Sequence, residues 1–163
     1  MLIQPMSVTE CREFLARMDL GRLGCVRDGT PYVVPIQFGY EPDRLYGFST
    51  VGKKIEWMRG SPNVCVEVDE IVGARRWCSV ILSGSYKELP SEPAFASERQ
   101  RAYKLLEKRF LWWETAFASE QPRHPSHPAD SVLYRIDVAE MTGRRAGSDE
   151  FDNAPSQQQS AIY

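Results

Sequence analysis

The sequence predicts a mainly β fold of the α+β class, a small antiparallel barrel with flanking helices. Three observations lead there. Short alternating runs rich in β-branched residues recur between turn residues such as Asp28-Gly29. Helix-forming composition is confined to short segments and to one longer stretch that begins at Pro93. About six meandering strands would leave exposed edges unless the sheet curls shut, which favours a barrel over an open sheet. With 163 residues, 42% of them hydrophobic, the chain has the size and apolar content of one domain with one core.

The elements follow in order. Ser7-Val8-Thr9-Glu10 has the form of a capping box, and Cys11, Phe14, Leu15 and Met18 then fall on one helical face. Leu23 to Arg27 and Pro31 to Tyr40 flank Asp28-Gly29 as a first hairpin. After the turn residues Glu41-Pro42-Asp43, the run Arg44 to Ser49 reads as a third strand. Ile55 and Met58 stand three apart in a short helix from Lys53 to Arg59, which Gly60-Ser61-Pro62 ends. Val64, Val66 and Val68 alternate as a fourth strand, and Arg76 to Leu89 is a long one that Gly84 should bend or bulge. Phe95, Ala102, Leu105, Leu106 and Phe110 recur at helical spacing between Pro93 and about Glu120. A proline-rich loop, Pro122 to Pro128, precedes a last strand from Val132 to Val138. The barrel domain is expected over residues 1–147, and the polar stretch 148–163 is expected to be a mobile tail. No internal repeat is visible.

Composition and motifs exclude several functions. A formal charge of −2 gives no reason to expect a nucleic-acid or anionic-membrane partner. Cys11, Cys25, Cys65 and Cys78 form no CxxC pair and sit in apolar stretches, as buried reduced thiols do. No apolar run reaches membrane-spanning length and the opening residues do not resemble a signal peptide, so a cytoplasmic location is expected. The segment Gly47 to Lys54 (GFSTVGKK) falls one residue short of a P-loop, with Lys54 where the Mg²⁺-binding hydroxyl belongs. What remains is a strand-to-helix junction whose hydroxyls, glycine and two lysines suit a phosphate; lysines are unfavourable at a helix start unless an anion is bound. No GxGxxG marks a dinucleotide site of the Rossmann type. His124 and His127 stand alone in the proline loop, so neither a metal site nor a Ser-His-Asp arrangement is expected.

Several segments taken in order carry a resemblance: GRLG, PYVVPI, STVGKK, NVCVEVD and WCSV, within a match from about Ser7 to Arg145. They resemble the flavin-nucleotide-binding split-barrel family related to pyridoxamine 5'-phosphate oxidase, and most of all the branch that includes the nitroimidazole-resistance proteins. The resemblance implies an FMN-binding split barrel working as a homodimer, with the flavin in a groove at the interface. By position, Val34, Pro35 and Ile36 would run beneath the isoalloxazine and offer main-chain hydrogen bonds. Ser49, Thr50, Lys53 and Lys54 would hold the phosphate, and Trp77, Cys78 and Ser79 would approach from a neighbouring strand. Trp113 and Arg144 match segments that in some members reach toward the partner's flavin. Two departures matter: nitroimidazole-reducing members have a histidine where Lys53 stands, and the additional substrate-phosphate residues of the oxidase proper are not found.

The function that follows is an FMN-dependent oxidoreductase acting on a small molecule, with the cofactor supplying the electron chemistry and no side chain required as acid or base. A non-catalytic module binding flavin or haem is the alternative, since a split barrel can hold a planar ligand without turning it over. A deazaflavin as native ligand and a cofactor-free interaction domain also stay open.

Overall fold

A computed structural model describes residues 2–107 and 131–147. Eight strands and three helices follow one another: β1 (Ile3–Met6), α1 (Val8–Arg17), β2 (Leu20–Arg27), β3 (Thr30–Gln37), β4 (Gly39–Glu41), β5 (Arg44–Thr50), α2 (Lys53–Gly60), β6 (Asn63–Gly73), β7 (Arg76–Glu88), α3 (Ala96–Glu107) and β8 (Ser131–Ala146). A 3-10 turn at Pro93–Phe95 leads into α3.

Local chemistry sets most of these elements. The Ser7 hydroxyl accepts from the Glu10 N–H and the Glu10 carboxylate accepts from the Ser7 N–H at 2.7 Å, so the expected capping box starts α1. Asp28 and Gly29 both have positive φ, 50° and 75°, which makes the first hairpin a type I′ turn. A two-residue turn of this kind closes on a hydrogen-bonded pair, here Arg27 and Thr30. The parity that follows gives the main-chain groups of Tyr32, Val34 and Ile36 to β2 and turns those of Pro31, Val33, Pro35 and Gln37 to the other side. Both prolines therefore cost no ladder bond.

All ladders are antiparallel, in the order β3-β2-β6-β7-β8-β5-β4, with β1 also on β8. Closure is incomplete, as expected of a split barrel. The two end strands, β3 and β4, are consecutive in the chain, joined at Phe38, and they share no ladder. Past Tyr46, where β4 stops pairing, β5 touches β3 without being paired to it. The barrel is thus split between β3 and the second half of β5.

Its interior is filled by Leu23, Cys25, Ile36, Val66, Val68, Val80, Leu82, Tyr134 and Ile136, with α1 and α2 contributing Phe14, Leu15, Ile55 and Met58. A second cluster on the outside of β5 and β8 joins Tyr46 and Leu133 to Ala102 and Leu106 of α3 and to Leu89. The same helix is tied down by Glu98, which accepts from Arg135 at 2.6 Å and from the Tyr46 hydroxyl at 3.1 Å.

Other expectations change in detail. The strand read as Pro31 to Tyr40 is two, because Phe38 turns into the core and donates its N–H to the Asp19 carbonyl. The last strand runs on to Ala146, since β7 and β1 pair with its second half. The bulge expected at Gly84 is present as a register shift beside Ser83. Cys11, Cys25 and Cys78 are buried, but Cys65 is exposed: it has the outward parity of β6, opposite to Val64 and Val66. The later part of the helix expected to reach Glu120, the proline loop and the tail from 148 lie outside the described residues. No helix among the described residues is long and apolar enough to cross a membrane.

Candidate functional site

The split offers two unlike walls. On one side is the unpaired edge of β3, where the Val33 and Gln37 N–H groups and the carbonyls of residues 31, 33, 35 and 37 face away from β2. On the other, β5 ends at Ser49 and Thr50, and Val51-Gly52 leads into α2. Gly52 is the N-cap and makes no side-chain capping bond, and the space where a Cβ would stand is open. The first intrahelical bond runs from Glu56 N–H to the Gly52 carbonyl, so the N–H groups of Lys53, Lys54 and Ile55 have no partner within the helix.

The two lysines at this helix start differ. Lys54 is half-buried, meets no carboxylate among the described residues, and burial alone draws its pKa below the ordinary lysine value. A desolvated cation without a counter-ion, at the positive end of a helix dipole, is an arrangement that a bound anion relieves. Lys53 is exposed, and its ammonium lies 4.4 Å from the Tyr32 ring centre and 4.7 Å from that of Trp57. These rings are 5.4 Å apart at a tilt of 54°, and both lie against the main core. Neither Tyr32 nor Trp57 was among the expected site residues. The spacing Lys53 to Trp57, four apart on one helix, is the sequence signal that could have found the second; nothing local points to Tyr32.

The Ser49 hydroxyl donates to the Thr50 carbonyl at 2.9 Å and must swing away from it to meet a phosphate; Thr50 is exposed. Val34 and Ile36 turn their side chains inward and bond β2 through their main chain, so Pro35, with its outward carbonyl, is the member of that trio that faces the groove. Val34, Pro35, Ile36, Ser49, Thr50, Lys53 and Lys54 are therefore brought to the two sides of the split.

The other expected residues lie elsewhere on the same chain. Thr50 pairs with Ser131 at the start of β8, whereas Ser79 pairs with Arg144 near its end. A strand from Ser131 to Arg144 covers roughly 40 Å at the usual rise. The Ser79 hydroxyl donates to Glu67 at 2.9 Å, Trp77 is half-buried, and Arg144 is exposed. Cys78 points into the core, where burial raises its pKa, the opposite of an activated thiol. Trp113 lies outside the described residues. Around Ser79 the outer face of the sheet carries Arg22 bonded to Glu67 and Asp69, ringed by exposed Leu20, Val26, Val33 and Ile81.

The donor set fits a phosphate ester: two ammonium groups, hydroxyls and free helix N–H groups, beside a strand edge that can meet a planar polar rim. Among the described residues no cluster of three or more His, Cys, Asp or Glu could hold a metal ion.

The comparisons with known proteins agree on kinship. The family model described as pyridoxamine 5'-phosphate oxidase matches residues 7–145. An uncharacterized protein of Rhizobium meliloti is 40% identical over 150 residues, covering 92% of this chain and 99% of the relative. The crystal structure of a FAD-binding protein of Mesorhizobium loti is similar with a TM-score of 0.74 and 39% identity, over 90% of this chain and 100% of that one. A FAD-binding protein of Mycobacterium smegmatis is similar with a TM-score of 0.61 and 26% identity, over 87% of this chain and 98% of that one.

Proposed function

We propose that this chain, which belongs to the pyridoxamine 5'-phosphate oxidase family, binds a flavin nucleotide in the split between β3 and β5 and uses it as a cytoplasmic oxidoreductase acting on a small molecule. The observation that carries the reading is Lys54: a half-buried cation with no carboxylate partner among the described residues, at an uncapped helix start. Two solved relatives named for FAD point to a flavin, and FMN is the part of FAD that the cradle itself would recognise.

A bound flavin supplies the electron chemistry by accepting and returning a hydride. The chain's own part is binding and orientation. Lys54 and the first N–H groups of α2 hold the phosphate. The outward carbonyl of Pro35 and the Val33 and Gln37 N–H groups would meet the ring's polar rim. A homodimer belongs to the same reading. One chain leaves Ser79 and Arg144 far along β8 from the cradle, and a second copy seated on the outer face around Ser79, which exposes Leu20, Val26, Val33 and Ile81, would bring its own set to the flavin.

Titration of the flavin-free protein with FMN and FAD tests binding, and turnover with NADH or NADPH and an acceptor tests catalysis. Stoichiometric binding with turnover supports the full proposal. Binding without turnover favours a storage or carrier role, the second reading, since a split barrel can hold a planar ligand without turning it over. Absence of binding refutes both.

A further inference from the structure

The phosphate cradle does not account for Tyr32 and Trp57. Two aromatic side chains from different elements are held against the core at 5.4 Å, half-buried, with the exposed Lys53 ammonium resting on both rings. That lysine belongs to the cradle, since Lys53 is the residue before Lys54 at the helix start. We propose, resting on the flavin reading above, that the Tyr32–Trp57 pair is the seat of an adenine ring and that the cofactor this chain prefers is therefore a flavin dinucleotide.

The argument is one of competition for the ammonium. An exposed cation–π contact is weaker than a charge-assisted hydrogen bond to a phosphate. A second phosphate arriving beside the one held by Lys54 therefore draws Lys53 off the rings, and one movement both neutralises the diphosphate and uncovers the aromatic faces. The ammonium lies within 4.7 Å of both ring centres, so a base joined to that phosphate through a single ribose falls within reach of them. Purines stack on aromatic side chains of this kind whatever their hydrogen-bonding edge. The platform is also preorganised: Tyr32 is fixed by its place in β3 opposite Cys25, and Trp57 lies one helical turn after Lys53 on α2. FMN, which ends at its first phosphate, leaves Lys53 on the rings and gains nothing from them.

Titration of the flavin-free full chain with FMN and with FAD tests this, in wild type and in Trp57→Leu, Tyr32→Leu and Trp57→Phe. Wild type is expected to bind FAD roughly 5- to 150-fold more tightly than FMN, the range that one stacked base supplies. Trp57→Leu and Tyr32→Leu each lose most of that preference while FMN affinity stays within about twofold, and Trp57→Phe, which keeps a ring, retains most of it. FMN binding in the same variants reports whether the fold survives. Equal wild-type affinities for FMN and FAD, or a parallel fall of both in Trp57→Leu, overturn the inference and leave the flavin reading standing. Failure of wild type to bind either flavin removes both.

Discussion

Lys54→Ala separates a phosphate contact from general damage. Burial alone lowers the pKa of Lys54, and no carboxylate among the described residues offsets its charge, so its removal takes away no internal ion pair. A charge-assisted hydrogen bond to a phosphate dianion contributes about 1.5–3 kcal/mol, and FMN should bind Lys54→Ala roughly one to two decades more weakly. Riboflavin has the ring and no phosphate; it should bind wild type poorly and be nearly indifferent to the substitution. Lys53→Ala should weaken FMN less, because that ammonium already rests on Tyr32 and Trp57. Fluorescence titrations of both ligands at one fixed ionic strength measure this, since salt screens exposed charges beyond about 8 Å under physiological conditions. The unliganded Lys54→Ala protein should be at least as stable as wild type, because an uncompensated half-buried cation costs free energy. A parallel loss of FMN and riboflavin, or FMN affinity unchanged in both lysine variants, refutes the placement of the cradle.

Three further outcomes follow from the geometry. Gly47→Ala drives a Cβ into the ring of the buried Tyr134 and should lower the unfolding free energy by about 1–3 kcal/mol in urea, whereas a change within about 0.5 kcal/mol would show that Tyr134 moves freely. Glu70 and Glu88 are held below the ordinary carboxylate value by hydrogen bonds from Arg17 and Arg59; their folded pKa values are depressed, so their contribution is present above about pH 4.5 and is lost as pH falls through those depressed values. Arg17→Met should flatten the acid limb of a stability–pH profile, and an unchanged slope contradicts that origin. Sedimentation should find a twofold dimer, and a monomer that binds flavin tightly would remove the second copy from the site.

Where a feature of this fold depends on residues adjacent in sequence, the sequence disclosed it. Asp28-Gly29, the Ser7–Glu10 box and Gly84 each act within a few residues or at a single backbone position, and each appears where expected. β1 and the second half of β8 were hidden because neither alternates cleanly: Gly143, Arg144 and Arg145 are strand only because β7 and β1 flank them. The break at Phe38 is tertiary too, set by a bond to Asp19. The candidate phosphate site was legible as a junction of small, hydroxyl and basic residues. Its inequality was not, since Lys53 and Lys54 read alike until the fold places one on two aromatic rings and half-buries the other. The separation of Thr50 from Ser79 and Arg144 likewise needs the strand register, which no local pattern encodes.

The most direct test of the central claim is the visible spectrum of the protein as purified, with mass identification of whatever denaturation releases. The account predicts a yellow protein with flavin absorbance near one cofactor per chain, releasing FMN or FAD. A colourless protein that takes up neither flavin when they are supplied contradicts it.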